Sequence, residues 1–506
     1  MTHDLPSSRE SAEFDRLQKL LAPRFKRFRA DPTQPYTAVV VPSQSMNPRE
    51  LEKIPGVEHY EERSLFNLML LRRPRMKVVY VTSKALNPLI VDYYLHQMRG
   101  VPAEHARRRL VLLNCDDARP VPLTQKILER PRLMQRIREA VDDPEMAHIA
   151  PFNASPLERS LAVGLQIPMV ACDPSLIDLG SKSGSRHAFA AAHVEVAPGR
   201  EDLRSVDDLV RAVIDLKHEH PEARRAVVKL EEGFSGEGNA LLDLEGLAPD
   251  ADAVRGALEQ MRYEANGLTW PAYAEQFESM GGIVELWVDG EKKVSPSAQV
   301  RISPLSEVQP VSTHDQVLGG KHGQVYQGAT FPAHVDYRLA IQKRAVAVGE
   351  VLARKGVIGR FGVDFVVVRD GGEDRIYAIE INLRQGGTTH PFNTLKFLTD
   401  GSYDRETGRF LTAQGRERCY FATDTLERPQ YRGLMPFDLI DMLVNEQLHV
   451  GADETGAVFH LLGCLSEYGK LGGTFIGEDL DQAKELYRRT VEMLDRETAA
   501  TGASSA

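Results

Sequence analysis

Apolar positions along this chain switch between two periods. Over residues 9–30, Phe14, Leu17, Leu21, Phe25 and Phe28 recur at helical spacing with Lys19, Arg24, Lys26, Arg27 and Arg29 between them. That spacing predicts one basic amphipathic helix. From Met76 onward, strand-like runs alternate with helical ones. Residues 77–82, 109–114, 148–152 and 168–172 read as strands; residues 90–99, 123–141 and 156–165 read as helices. Such alternation predicts a small open parallel sheet. No GxGxxG follows its first strand, so no dinucleotide site is expected there. Beyond Pro174 the chain turns richer in glycine and in long β-type runs. Ala483, Leu486, Tyr487, Val491 and Leu494 mark a closing helix, and residues 501–506 read as a small, polar, disordered tail.

Length and charge narrow this picture. A chain of 506 residues has room for about three domains. The pattern sets the N-terminal stretch with the amphipathic helix apart from an α/β region running from Met76 to about Cys172, and from a β-richer remainder beyond Pro174. Lys plus Arg number 62 against 72 Asp plus Glu, a net charge of −10. A chain this acidic has no global reason to coat nucleic acid or anionic lipid, so neither partner is expected. The basic helix is accordingly expected to dock on its own protein rather than on a membrane. The apolar runs at 37–41 and 65–71 are far shorter than the roughly 20 residues a spanning helix needs. No basic segment followed by an apolar stretch opens the chain, so no secretory signal is read. Cys115, Cys172, Cys419 and Cys464 are scattered, which fits neither a zinc knuckle nor a CxxC pair. Free thiols in a reducing cytoplasm are expected.

Two segments carry chemistry. Residues 226–230 form an apolar strand pattern holding Lys229, followed at once by Gly233, Ser235, Gly236 and Gly238, then by a second strand pattern. Glycine lets backbone N–H groups wrap an anion, and a lysine adds a point charge for the same phosphates. A purely structural glycine hairpin is equally common, and the GxxxxGK[ST] spacing of a P-loop is missing. The second segment is stronger. Residues 361–368 and 375–383 alternate as two strands around a turn at 370–373. Centring that hairpin on position 372 sets Asp364 opposite Glu380 and Arg360 opposite Arg384, with Asn382 on the same face as Glu380. Phe361, Val363, Phe365, Val367, Tyr377, Ile379, Ile381 and Leu383 fall on the other face. Facing carboxylates repel unless something neutralises them. Hard oxygen ligands of this kind suit Mg²⁺ together with substrate phosphates. The plain alternative is a solvated polar face, and a bulge in the hairpin would shift the register.

In the order Lys182, Lys229 with its glycine loop, the string 284–288, Asp364, and Glu380 with Asn382, the chain resembles the ATP-grasp superfamily. Residues 295–301, 312–320 and 380–391 are similar to the pheganomycin-type peptide ligases, and 463–467 to the C-terminal domain of that family. Residues 1–60 carry none of the likeness. The resemblance implies an α/β and α+β architecture: behind an N-terminal extension (1–75), an N-terminal pre-ATP-grasp open sheet (76–175), an ATP-grasp fold (176–395) and a C-terminal domain (396–506). It also implies ATP and Mg²⁺ as cofactors. Lys182 and Lys229 would contact the nucleotide, and Gly233, Ser235, Gly236 and Gly238 would close over its phosphates. Glu285, with Trp287 and Val288, would form the hinge against adenine. Asp364, Glu380 and Asn382 would hold the metal, and Arg301 and Arg384 would steady an acyl phosphate.

The implied reaction is ADP-forming ligation of a carboxylate to an amine, with an amino acid or modified amino acid joined to a peptide. A phosphotransferase acting on a hydroxyl, or a non-catalytic nucleotide-binding protein, would use the same site differently. His314 and His390 suggest a base for the amine, but histidines in such loops are as often structural. The acyl donor, the amine acceptor and any homo-oligomer stay open.

Overall fold

In the computed structural model, which describes residues 8–232, 238–265, 267–319, 325–370 and 373–503, a parallel sheet forms the first layer. Its strands are β1 (Tyr36–Val41), β2 (Met76–Thr82), β3 (Leu110–Asn114) and β4 (Ala147–Pro151), in the order β3-β2-β1-β4. The expected parallel sheet is therefore present, but it begins well ahead of residue 76. β1 is buried along its whole length and sits between β2 and β4, as a largely apolar strand covered on both faces must. The expected strand at 168–172 is reduced to one parallel bridge between Ile149 and Met169.

Two expected single helices are each broken at a proline. Residues 9–30 form Ser8–Gln18 and Leu21–Ala30, with Pro23 in the first turn of the second. Residues 123–141 form Leu123–Leu128 and Pro131–Ala140, with Pro131 opening the second. Proline lacks the N–H that a continuous helix needs but is tolerated in a first turn. The N-terminal helix docks as expected: Phe14 is 1% exposed and packs into the core beneath the parallel sheet.

The second layer is an antiparallel sheet of β5 (Gly199–Leu203), β6 (Arg225–Leu230), β7 (Asn239–Asp243), β8 (Arg262–Tyr263) and β9 (Gly282–Leu286), ordered β5-β9-β6-β7-β8. β6 and β7 are the two strands expected around the glycine loop, with Lys229 paired to Asn239.

The third and largest sheet takes β10 (Lys292–Val294), β11 (Pro296–Ile302), β12 (Val308–Gly319), β13 (Val325–Phe331), β14 (Gly359–Asp370) and β15 (Glu373–Asn382). After a small hairpin of β16 (Ser402–Asp404) and β17 (Arg409–Leu411), it also takes β18 (Cys419–Glu427), β19 (Gly456–His460) and β20 (Lys470–Gly477). The helices Lys182–Ala191 and Arg338–Arg354 pack on one face, with Phe189, Ile341, Ala345 and Val348 against Val300, Phe361, Val363 and Phe365.

The sheet continues across the expected 395/396 boundary. β18 pairs with β13 from Gly328–Thr423 to Phe331–Tyr420, so the C-terminal strands continue the central sheet through backbone hydrogen bonds. Val78 and Tyr80 of β2 also share one core with Tyr420 and Phe475, and Tyr94 Oη donates to the Phe459 carbonyl at 3.1 Å. The final helix, Leu480–Ala503, runs through Thr501. Among the described residues no helix is long and apolar enough to cross a membrane.

Candidate active site

β14 and β15 pair Asp364 directly with Glu380 and Gly362 with Asn382, as the hairpin arithmetic predicts. One residue further the ladder slips. Phe365 pairs with Ala378, leaving Ile379 as the extra residue of a bulge. An extra residue inverts the alternation beyond it. Ile376 and Ala378 therefore join the core with Phe365 and Val367, while Ile379 faces a cavity on the opposite side. This corrects the expected core position of Ile379, while Tyr377 stays buried as expected. The residue opposite Arg360 is also different: β15 ends at Asn382, and Arg360 lies beside Arg301 of β11.

Lys182, at the first position of its helix, forms an ion pair with Glu380. Asn382 Nδ2 donates to Asp364 Oδ2 at 3.1 Å and lies 3.4 Å from Glu380 Oε1. Gln316 Nε2 donates to Asp364 Oδ1 at 2.9 Å. Burial, reinforced by the facing Glu380 carboxylate, pushes the Asp364 carboxyl well above its usual range. Burial acts on Glu380 in the same direction, but the Lys182 ammonium outweighs it and holds Glu380 ionised. Half-buried Arg384 is drawn down by burial and raised again by Glu380 and Asp364.

This donor set fits a hard divalent cation. Two carboxylates stand face to face without full neutralisation, and turning the Asn382 amide would present its oxygen beside them.

Next to this trio, a cavity of ≈ 660 Å³ opens between the second and third sheets. Val227 and Lys229 of β6, Glu285 and Leu286 of β9, then Trp287 and Val288, line one wall. Val366 and Val367 of β14, with Ile379, line the other. The volume and mixed lining suit a nucleotide-sized ligand. Lys229 Nζ lies 2.5 Å from Glu285 Oε2, and Arg186 Nη1 donates to Glu285 Oε1 at 2.8 Å. Glu285 is thus buried between two cations, which outweigh the effect of burial and keep it ionised. Its carboxylate anchors Lys229 at the cavity wall. Leu286 and Trp287 follow it, their N–H groups bound to the carbonyls of Pro198 and Arg225.

The two arginines expected at the acyl phosphate separate. Arg384 lies beside the carboxylates. Arg301 sits four residues along β11 from Ser297, the partner of Asp364, roughly 13 Å away. Its guanidinium instead lies 5.7 Å over the Phe25 ring of the N-terminal helix pair. Gly233, Ser235 and Gly236 lie outside the described residues; the Gly238 carbonyl accepts from Leu230 N–H and Tyr273 Oη, each at 3.1 Å. His314 is fully buried, bonds Tyr420 Oη at 2.8 Å, and is pushed down to about 3 by burial. His390 lies against Asp424 and His460. Three contributors were not anticipated. Arg186, one helical turn after Lys182, was recoverable from i,i+4 spacing. Gln316 lies within a string already singled out. Arg63 comes from the segment Val57–Arg72, whose sequence signals no chemistry, yet it bonds Asp424 at 3.0 Å.

Residues 175–264 and 256–406 match the family described as IQCH-like, ATP-grasp, and residues 438–490 match the PGM1 C-terminal domain. With the facing carboxylates and the two-sheet cavity, these matches define the class: the chain belongs to the ATP-grasp carboxylate–amine ligases, ADP-forming enzymes. L-propargylglycine--L-glutamate ligase of Streptantibioticus cattleyicolor is 33% identical over 467 residues, covering 90% of this chain and 94% of that protein. IQ motif-containing protein H of Danio rerio is 21% identical over 423 residues, covering 74% of this chain and 40% of that longer protein. Solved structures share the fold. The ADP complex of N5-carboxyaminoimidazole ribonucleotide synthetase has a TM-score of 0.51 at 12% identity, covering 92% of this chain and 97% of its own. A biotin carboxylase from Campylobacter jejuni has a TM-score of 0.54 at 14% identity, covering 90% of each chain.

Proposed function

We propose that this chain activates the carboxylate of an α-amino acid with ATP and joins it to the amine of a second amino acid or short peptide. The observation that carries this reading is the Asp364–Glu380 pair, opposed in register beside Asn382 and Lys182 at the edge of the nucleotide-sized cavity. The likeness to a ligase named for propargylglycine and glutamate supports amino acids as both partners.

A carboxylate is a poor target for an amine, because its leaving group would be oxide. Transfer of the γ-phosphoryl group to a carboxylate oxygen breaks the bond to ADP and makes an acyl phosphate. The amine nitrogen then attacks the acyl carbon, the C–N bond forms, phosphate leaves and the nitrogen gives up a proton. Mg²⁺ held by Asp364, Glu380 and Asn382 would supply charge neutralisation for the phosphates. Lys229, fixed by Glu285, is positioned to hold phosphate oxygens, and Lys182, paired with Glu380, adds a second cation. Arg384, which interacts electrostatically with both carboxylates, stabilises negative charge on the acyl oxygen. The four cysteines, all free and buried, support a cytoplasmic setting.

Mass spectrometry of ATP reactions against paired amino acids, with L-glutamate among the acceptors, tests the reading. The expected product has the summed mass of both substrates less one water, formed with ADP. Glu380→Gln should lower its rate by about 10²–10³-fold. A phosphorylated hydroxyl product made without any amine would overturn ligation, and a near wild-type rate for Glu380→Gln would overturn the metal assignment.

A further inference from the structure

Away from the Asp364–Glu380–Asn382 trio, three side chains from distant parts of the chain converge. His390 stands in the first turn of the helix Thr389–Thr399, Asp424 on β18 and His460 at the end of β19. His460 Nε2 lies 2.6 Å from Asp424 Oδ1, His390 Nε2 lies 3.3 Å from the same oxygen, and the two Nε2 atoms are 3.1 Å apart. Among the described residues, this is the one group of three His, Cys, Asp or Glu side chains whose ligand atoms gather this closely. We propose that His390, Asp424 and His460 form a binding site for one borderline divalent cation, of the Zn²⁺ or Fe²⁺ type, distinct from the Mg²⁺ site.

Four observations support the site. First, the rings are not aligned head-on across their 3.1 Å Nε2···Nε2 contact. A linear Nε2–H···Nε2 bond at this separation would hold the ring centres about 5.4 Å apart. They are 4.3 Å apart with planes at 67°, so both nitrogens aim to one side, where Asp424 Oδ1 also points. Second, the spacing suits coordination. Ligands bound tetrahedrally at about 2.0 Å stand about 3.3 Å from one another; two of the three separations are close to that, and the third is shorter.

Third, the ligands are held from outside. Arg63 Nη1 bonds Asp424 Oδ2 at 3.0 Å, which leaves Oδ1 turned toward the imidazoles, an arrangement that orients a ligating carboxylate. A Cβ on Gly472 would come 2.1 Å from His460 Nε2, so that strand position accepts the ring only because it lacks a side chain. Fourth, the donor chemistry differs from that of the trio. His390 and His460 are 6% and 3% exposed, and two buried imidazoles with one carboxylate favour a softer ion than an all-oxygen set does. Three ligands would leave a coordination position for water or substrate.

Cobalt reports on such a site directly, because protein-bound Co²⁺ of low coordination number absorbs visible light. The purified full-length chain is stripped with chelator, then titrated with Co²⁺ in excess Mg²⁺. The expected result is a d–d band saturating at about one Co²⁺ per chain, displaced by Zn²⁺, retained in Glu380→Gln and lost in His460→Gln. No saturable band in folded wild-type protein, or an unchanged band in His460→Gln, would overturn the site. Pulsed EPR of the Cu²⁺-loaded wild type serves if that variant fails to fold. Coupling to two imidazole nitrogens supports the proposal, and absence of imidazole coupling leaves His390, Asp424 and His460 as a hydrogen-bonded cluster only.

Discussion

Lys396 lies where positive charge outnumbers negative. Arg360 and Arg301 adjoin it, Arg360 Nη1 has no hydrogen-bond partner, and the nearby Asp400 is paired with Arg72. Burial, assisted by the two arginines, draws the Lys396 ammonium down to about 8 from its usual value of 10.5. Between those values the unfolded chain holds the extra proton, so this residue's contribution makes stability rise with pH through that window. Below about pH 8 the destabilising effect is complete. Lys396→Met should therefore stabilise the protein at pH 7 by about 1–3 kcal/mol and lose that advantage near pH 10.5. Thermal denaturation of both proteins at the two pH values measures this, and an equal gain at each would refute the assignment. Glu285 shows the opposite balance: two cations meet one buried carboxylate, and neither cation is left to solvent.

At the scale of elements, alternation along β14 located the carboxylate pair from sequence because a two-residue period and a symmetric turn leave little freedom. The same arithmetic failed beyond Asp364, since a bulge depends on backbone pairing and no single residue announces it. Helix extents were legible except at Pro23 and Pro131, where a missing N–H outranked apolar periodicity. Arg63 and the Glu285–Arg186 pair depend on tertiary approach and had no local signature beyond helical spacing. The helix carrying Lys182 and Arg186 has a further constraint. A Cβ on Gly184 would lie 1.9 Å from the Asp178 carbonyl oxygen, so the turn before the helix packs on bare backbone. Gly184→Ala must push that turn away. It should destabilise the protein by about 1–3 kcal/mol and raise the KM for ATP, because Lys182 is two residues away. Steady-state kinetics with a melting curve would test both effects, and an unchanged KM would show that the helix absorbs the clash locally.

For the whole molecule, composition and periodicity anticipated a parallel sheet followed by β-rich layers, but not where one unit ends. The boundary at 395 followed the extent of the family resemblance, and across it run a ladder between β13 and β18 and a core shared with β2. A chain ending at residue 395 would expose the edge of β13 and open that core. Unpaired edges and bare apolar faces promote aggregation, so such a truncation should be insoluble, as size-exclusion chromatography of the expressed fragment would show. A soluble monomeric fragment would mean the two parts fold independently.

The β13–β18 ladder also bears on how relatives of this enzyme exchange properties. Recombination that swaps everything after residue 395 would ask two unrelated strands to match backbone, twist and side-chain size along their seam. A crossover placed ahead of β10 would instead transfer the entire large sheet, with both carboxylates and the His390–Asp424–His460 cluster, as one inheritable cassette. Chimeras built at that point are the ones expected to keep working while changing what they join.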